Sequence, residues 1–227
     1  MAVAATGRLA TVFTTRDDGD FNVDDLTAAE LSARQQHTVA LQWTMLRQVH
    51  GAEVVTVDRP GQHHGVIADA MVITCEDAVG AVWSGDCAPV IIEATDGHRG
   101  FALAHAGWKG IENGVLAATA NRLNDLGVGS ATASIGPYIH PCCYEFGNDD
   151  LARLAASLGV EPEGIAGESR HGTVALDVRR AITAALAPFA IAITSAGPCT
   201  GCDTRFFSHR TRGERPRHAI AVWRPSL

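Results

Sequence analysis

The segment Gly100 to Gly114, GFALAHAGWKGIENG, constrains the chain most strongly. An apolar run, Phe101 to Ala104, ends on His105. Ala106-Gly107-Trp108-Lys109-Gly110 follows, and then a long segment rich in alanine and leucine. This order reads as strand, tight glycine turn, helix. It sets a histidine at a strand end and the first N–H groups of a helix beside Lys109. Such N–H groups lack intrahelical partners and sit at the positive end of the helix dipole, so they favour anions. Lys109 is therefore a candidate phosphate ligand, a solvated lysine being the alternative. A second segment, Gly80 to Ala94 (GAVWSGDCAPVIIEA), has a similar design around Cys87, and RQVHG carries His50. The expectation is that the three stretches converge into one site.

A chain of 227 residues fits one large domain, taken here as 1–227. With 46% hydrophobic and 19% charged residues it can bury a substantial core, which excludes a disordered chain. The net charge of −7 argues against a nucleic-acid partner, which needs a basic face. The arginines between Arg205 and Arg217 read as a solvated loop and strand edge. No apolar run approaches the roughly 20 residues that span a bilayer, so no membrane partner is expected. The N-terminus lacks a basic start before a long apolar core and does not read as a signal peptide. A reducing cytoplasm follows, where six cysteines are candidates for metal ligation, catalysis or packing rather than disulfides.

Strand patterns cover Ala10 to Thr15, Glu53 to Val57, Ala70 to Thr74, Val79 to Ser84, Pro89 to Ala94, Phe101 to His105, Ala131 to Ile135, Ala190 to Ser195 and Ala219 to Trp223. Helices are predicted from a capping box at Thr27 to about Ala40, over Ile111 to Leu126, over Asp150 to Leu158 and from Val178 to about Ala187 behind Asp177. Gly136 to Gly147 reads as an irregular loop and Pro198 to Asp203 as a turn. Several strands adjoin without an intervening helix. That favours α+β with mixed sheets over a doubly wound parallel fold.

Cys87 lies in the turn Ser84-Gly85-Asp86-Cys87-Ala88-Pro89, where a scaffold can expose a thiol. Packing as a small hydrophobe is the ordinary alternative. A catalytic thiolate needs a histidine or positive charge nearby, and His105 is the candidate. With His50 the set becomes His/Cys/His. Three protein ligands and an open fourth position suit a catalytic zinc ion, and the same residues suit a metal-free Cys-His hydrolase. The sequence does not choose between them. Arg47, Lys109 and Arg210 are candidate anion ligands, and Asp69 or Asp86 a candidate proton shuttle. His63, His64 and His140 are further metal candidates that read as surface histidines. Cys199-Thr200-Gly201-Cys202 suits a redox pair or half a structural zinc site. Adjacent Cys142-Cys143 has the wrong spacing for the other half of a zinc ribbon, so Cys199 and Cys202 are read as reduced thiols in a turn.

RQVHG, ADAMVIT, SGDCAPVII, AHAGWKGI, SIGPYIHPCCYEFG and CTGCDTRFFSHR, in this order, resemble the YfiH-type laccase-domain family. Its members have been called multicopper polyphenol oxidase-like proteins and are described as purine nucleoside phosphorylases. The likeness runs from about Val12 to Trp223. It implies a four-layer α/β/β/α sandwich and a zinc ion held by His50, Cys87 and His105. It also implies phosphorolysis of adenosine, inosine, guanosine and 5′-methylthioadenosine, with adenosine deamination as a companion activity. Purine nucleosides and phosphate would be the partners, with Arg47, Asp69, Lys109 and Arg210 toward substrate or phosphate. A homo-oligomer stays open. Two departures bear on substrate preference: RDDGDFNVDD is short and acidic where the family has a glycine-rich motif, and His209 stands where a tyrosine is frequent. The older label implies copper, but a four-copper oxidase needs His-x-His pairs, and this chain has none. A cytoplasmic Cys-His amidase editing peptidoglycan precursors is the other enzymatic reading. A binding module that has lost its activity is the reading outside enzymes.

Overall fold

The computed structural model describes residues 3–6 and 9–226. Residues 1, 2, 7 and 8, part of the stretch judged above for a signal peptide, lie outside the described residues. The chain runs β1 (Val3–Thr6), β2 (Leu9–Phe13), α1 (Ala28–Thr38), β3 (Gln42–Met45), β4 (Val54–Val57), β5 (Ala70–Ile73), β6 (Ala78–Ser84), β7 (Ala88–Ala94), β8 (Phe101–Ala106), α2 (Trp108–Glu112) and α3 (Val115–Asp125). It continues β9 (Ala131–Ile135), α4 (Asn148–Leu158), α5 (Pro162–Ile165), β10 (Ala166–Glu168), β11 (Val174–Leu176), α6 (Val178–Leu186), β12 (Ala192–Ala196), α7 (His209–Arg212) and β13 (His218–Trp223).

Two mixed sheets carry the fold. One has the order β1-β2-β13-β6-β3 and the other β12-β9-β7-β8-β5-β4, with β10 and β11 forming a separate hairpin. Strand alternation sorts the side chains into layers. Met71 and Ile73 of β5 and Phe101 and Leu103 of β8 meet Val82, Ile220 and Val222 of the other sheet. Ala70, Val72, Ala102 and Ala104, on the opposite face, pack under Val115, Leu116, Leu154 and Ile182 of α3, α4 and α6. Leu31 of α1 covers the outer face of the five-stranded sheet with Phe21, over Trp43, Val79 and Ala219. The result is α1, sheet, sheet, helices: the four-layer α+β sandwich that the resemblance implies. Both faces of β5 and β8 are buried, which explains their unbroken apolar runs. The sheets approach closely at Gly80, where a Cβ would meet Ile73 Cδ1 at 2.4 Å.

Capping agrees with the sequence at α1, where Thr27 accepts from the Glu30 N–H and Glu30 reaches back, and at α6, where Asp177 accepts from the Arg180 N–H. The helix predicted over Ile111 to Leu126 divides into α2 and α3. Gly114 adopts φ 88° between them, a left-handed conformation that suits glycine and stops α2 after five residues. No helix among the described residues is long and apolar enough to cross a membrane.

Candidate active site

The topology brings three chain segments to one end of the seam between the sheets. β3 and β6 are parallel, so both end there, and from each the chain crosses to the six-stranded sheet. His50 lies on the first crossover and Cys87 on the second. β7 starts where β8 ends, with Pro89 opposite His105 and Ala88 opposite Ala106. His105 shares its strand face with Phe101 and Leu103, so it lies on the face toward the other sheet. Gln48 extends the ladder past β3: its amide donates to the Trp83 carbonyl at 2.8 Å and accepts from the Trp83 N–H at 3.1 Å.

His50 Nε2 lies 3.6 Å from Cys87 Sγ, and donor atoms of His50, Cys87 and His105 all fall within 4.8 Å of one another. The two imidazole centroids are 4.8 Å apart. Gly107 makes this approach feasible, because a Cβ there would stand 2.7 Å from both Cys87 Sγ and His50 Cδ2. Asp69, fully buried, organises the group. Its Oδ1 accepts from His105 Nδ1 at 2.9 Å and from the His50 N–H at 2.9 Å, and its Oδ2 from the Val49 and Gly51 N–H groups at 3.0 and 2.7 Å. Burial would raise its carboxyl, but the bonds from His105, Gly51 and Val49 outweigh that and hold it below the usual carboxylate range. Anchoring Nδ1 leaves His105 Nε2 for the cleft, the carboxylate–histidine arrangement common behind metal ligands.

Burial likewise pushes the Cys87 thiol up, yet His105 and then His50 bring it down to about 6. Burial pushes His105 down, while Cys87 and Asp69 raise it to about 9. Without a cation the two form a thiolate–imidazolium pair. The donor set of two imidazoles and a thiolate, with a cleft above it, fits a zinc ion with an open coordination position.

The cleft has a volume of about 450 Å³. Trp83, Trp108 and Tyr144 give it flat apolar surface, and His209, Arg210 and Arg217 line it with them. The Arg210 guanidinium lies 4.8 Å from the Tyr144 ring centroid. Tyr144, Trp108, Gln48 and Arg217 escaped the sequence reading. Tyr144 sits within PCCYEFG, the only local signal for it.

Of the other expected ligands, Asp86 lines the cleft, whereas Asp69, Arg47 and Lys109 do not. Asp69 is buried behind the cleft and absent from its lining, and both its oxygens accept the hydrogen bonds given above. Asp86 accepts from Thr200 Oγ1 and Ser208 Oγ, each at 2.7 Å, and from the Arg210 N–H at 2.7 Å. It ties the Cys87 turn to the C-terminal segment at the wall of the cleft. Arg47 is exposed outside the lining, its Nε 3.4 Å from Asp24 Oδ1. Lys109 is exposed too, its Nζ 5.6 Å from the ring centroid of Trp108, and it does not line the cleft. His64 Nδ1 and His140 Nε2 bond backbone carbonyls of Trp43 and Gly197. Cys199 and Cys202 do not form an isolated turn: they meet Cys142 and Cys143, whose adjacency in sequence hid that approach.

A four-layer sandwich with an imidazole–thiolate centre at its sheet seam defines a class of α+β protein with a candidate metal site. The chain belongs to the multi-copper polyphenol oxidoreductase laccase family, whose model matches residues 10–225. It is 35% identical over 193 residues, 78% of this chain and 70% of the relative, to a protein of Xylella fastidiosa named purine nucleoside phosphorylase. A Streptomyces coelicolor protein of the same name is 34% identical over 86% of this chain and 80% of its own length. Among solved structures, Neisseria meningitidis protein NMB0706 superposes with a TM-score of 0.81 at 24% identity, covering 100% of this chain and 99% of that one. YlmD of Geobacillus stearothermophilus gives 0.76 at 23% identity, covering 96% and 92%.

Proposed function

We propose that the protein is a zinc-dependent purine nucleoside phosphorylase acting on adenosine, inosine, guanosine and 5′-methylthioadenosine, with adenosine deamination as a companion activity. The observation that carries this reading is the gathering of His50, Cys87 and His105 at a cleft that also holds Arg210, in a chain whose relatives bear the phosphorylase name. In phosphorolysis a phosphate oxygen bonds to ribose C1′ as the bond from C1′ to the purine nitrogen breaks. Positive charge develops on the ribose and negative charge on the base, which leaves with the bonding pair and takes a proton. When bound, zinc supplies a Lewis acid at the foot of the cleft.

The chain's own residues do the rest. Trp108 and Tyr144 offer faces for a purine. Arg210 holds phosphate beside the sugar by charge and paired N–H groups. Asp69 fixes the tautomer and direction of His105. We assign the reaction to the reducing cytoplasm, on small molecules rather than at nucleic acid or membrane.

The test uses metal-quantified protein. Adenosine and inosine are incubated with and without phosphate, and free base, ribose 1-phosphate and deaminated product are separated by chromatography. Phosphate-dependent base release that tracks zinc and is lost in His50→Ala, Cys87→Ala and His105→Ala supports the assignment. Absence of base release from zinc-replete protein overturns it. The thiolate–imidazolium pair favours one other reading, a Cys-His hydrolase with Cys87 as nucleophile. An acyl adduct on Cys87 after exposure to a peptidoglycan precursor, with no base release, transfers the assignment there.

A further inference from the structure

The second gathering of soft donors lies outside the cleft. Cys142 and Cys143 come from a short 3-10 turn at Pro141–Cys143, and Cys199 and Cys202 from the turn behind β12. Their sulfurs lie 3.8 Å apart for Cys142–Cys143, 3.9 Å for Cys142–Cys199, 3.6 Å for Cys142–Cys202 and 3.5 Å for Cys143–Cys202. All four fall within 4.8 Å of one another.

These separations discriminate between chemistries. A disulfide needs about 2.05 Å between sulfurs. Four thiolates about 2.3 Å from a central zinc form a tetrahedron with edges of about 3.8 Å. The four separations given match its edges, and the other two stay within 4.8 Å. A tetrahedral all-sulfur set suits zinc or iron among the first-row metals, and the test below separates the two.

The surroundings fit a tetrathiolate centre, which carries net negative charge. The Arg170 guanidinium donates to Cys143 Sγ and, at 3.5 Å, to Cys202 Sγ, and the His140 N–H donates to Cys199 Sγ at 3.3 Å. Arg212 binds the Thr200 and Gly201 carbonyls at 3.0 and 3.3 Å. Gly201 lets this turn lie against the other, because a Cβ there would meet Cys143 Sγ at 2.8 Å. Cys202 is exposed, which gives an ion a way in.

We infer that Cys142, Cys143, Cys199 and Cys202 form a second, structural zinc site. It joins the loop behind β9 to the turn behind β12. Thr200, inside that turn, donates to Asp86, so the ion also braces the segment that presents Cys87 and Arg210. Its ligands are separate from those of the His50/Cys87/His105 centre, so the inference does not rest on the reaction assigned there.

Metal counting on tag-free protein kept under reductant tests this. About two zinc ions per chain are expected in the unmodified protein, and about one in His50→Ala. In His50→Ala, cobalt(II) in place of zinc gives the intense visible bands and sulfur-to-metal charge transfer of a tetrahedral tetrathiolate. Alkylation followed by mass spectrometry finds the four cysteines protected until a chelator is added. Cys202→Ser added to His50→Ala removes the cobalt bands. If that variant does not fold, the cobalt spectrum of His50→Ala alone decides. His50→Ala protein without zinc, a weak six-coordinate cobalt spectrum, iron in place of zinc, or a disulfide among the four would each overturn the inference.

Discussion

The Asp69 carboxylate accepts four hydrogen bonds, three of them from the consecutive N–H groups of Val49, His50 and Gly51. His50 sits there at φ 60°, a left-handed conformation that costs roughly 1–2 kcal/mol for a residue with a Cβ. The carboxylate offsets that cost and at the same time directs His105. Asparagine keeps the shape but turns an NH₂ toward groups that already donate. Asp69→Asn should therefore weaken zinc binding by about 10–100-fold. Competition with a chromophoric chelator reads this directly, and an unchanged affinity would sink the positioning role. His50, Cys87 and His105 were legible in the sequence because each stands in a short motif beside small residues. Asp69 was legible as a candidate but not in its role, because a sequence does not show that both oxygens are enclosed. Arg47 and Lys109 lie outside the cleft lining, and the sequence could not show that, because charge beside a motif does not say on which side of an element it emerges.

At the scale of elements, strand periods and caps gave most boundaries to within a few residues. What they could not give was the sheet each strand joins. β6 and β7 read as two flanking strands, yet they belong to different sheets, and Cys87 owes its position to the crossing between them. The break at Gly114 was hidden by apolar residues on both sides that continue a helical period. The crossing at Cys87 depends on Asp86, which binds Thr200, Ser208 and the Arg210 N–H together. Removing the carboxylate leaves these partly buried donors without their partner. Asp86→Ala should cost roughly 2–3 kcal/mol, lower Tm in calorimetry and raise the KM for phosphate. Zinc binding by the proposed set His50, Cys87 and His105 should be unchanged, since Asp86 is not among those residues. A loss of zinc with unchanged KM would mean that Asp86 serves the metal centre and not the arginine.

At the scale of the whole molecule, the resemblance supplied the four-layer order, whereas periodicity supplied only α+β, because sheet pairing is non-local. Burial shows the same limit. His218 opens β13 in the middle of its sheet, fully buried, with neither ring nitrogen hydrogen-bonded among the described residues and its ring 5.2 Å from Phe206. Nothing in RHAIAVW marks it as different from a surface histidine. Burial, reinforced by the Arg217 charge, depresses its pKa from 6.5 to about 3. Above 6.5 the residue is neutral in both states and does not affect the balance. Below 6.5 the unfolded chain takes a proton that the folded chain refuses, so stability falls with falling pH until about 3. The slope is about 1.4 kcal/mol per pH unit while this group alone titrates. The metal-free Cys87–His105 pair adds a different profile. What the depressed thiol contributes fades as pH falls from 9 to about 6, and what the raised imidazole contributes fades as pH rises from 6.5 to about 9, so the two offset each other and the pair adds little slope near neutral pH. Comparing chelator-treated wild type with His218→Leu separates the two, because the pair is common to both proteins. Urea unfolding at a series of pH values from 7 toward 4 should show a shallower decline in His218→Leu, whatever its stability at pH 7. Parallel declines would mean that His218 takes up its proton in the folded state, and that a group facing it accepts the charge.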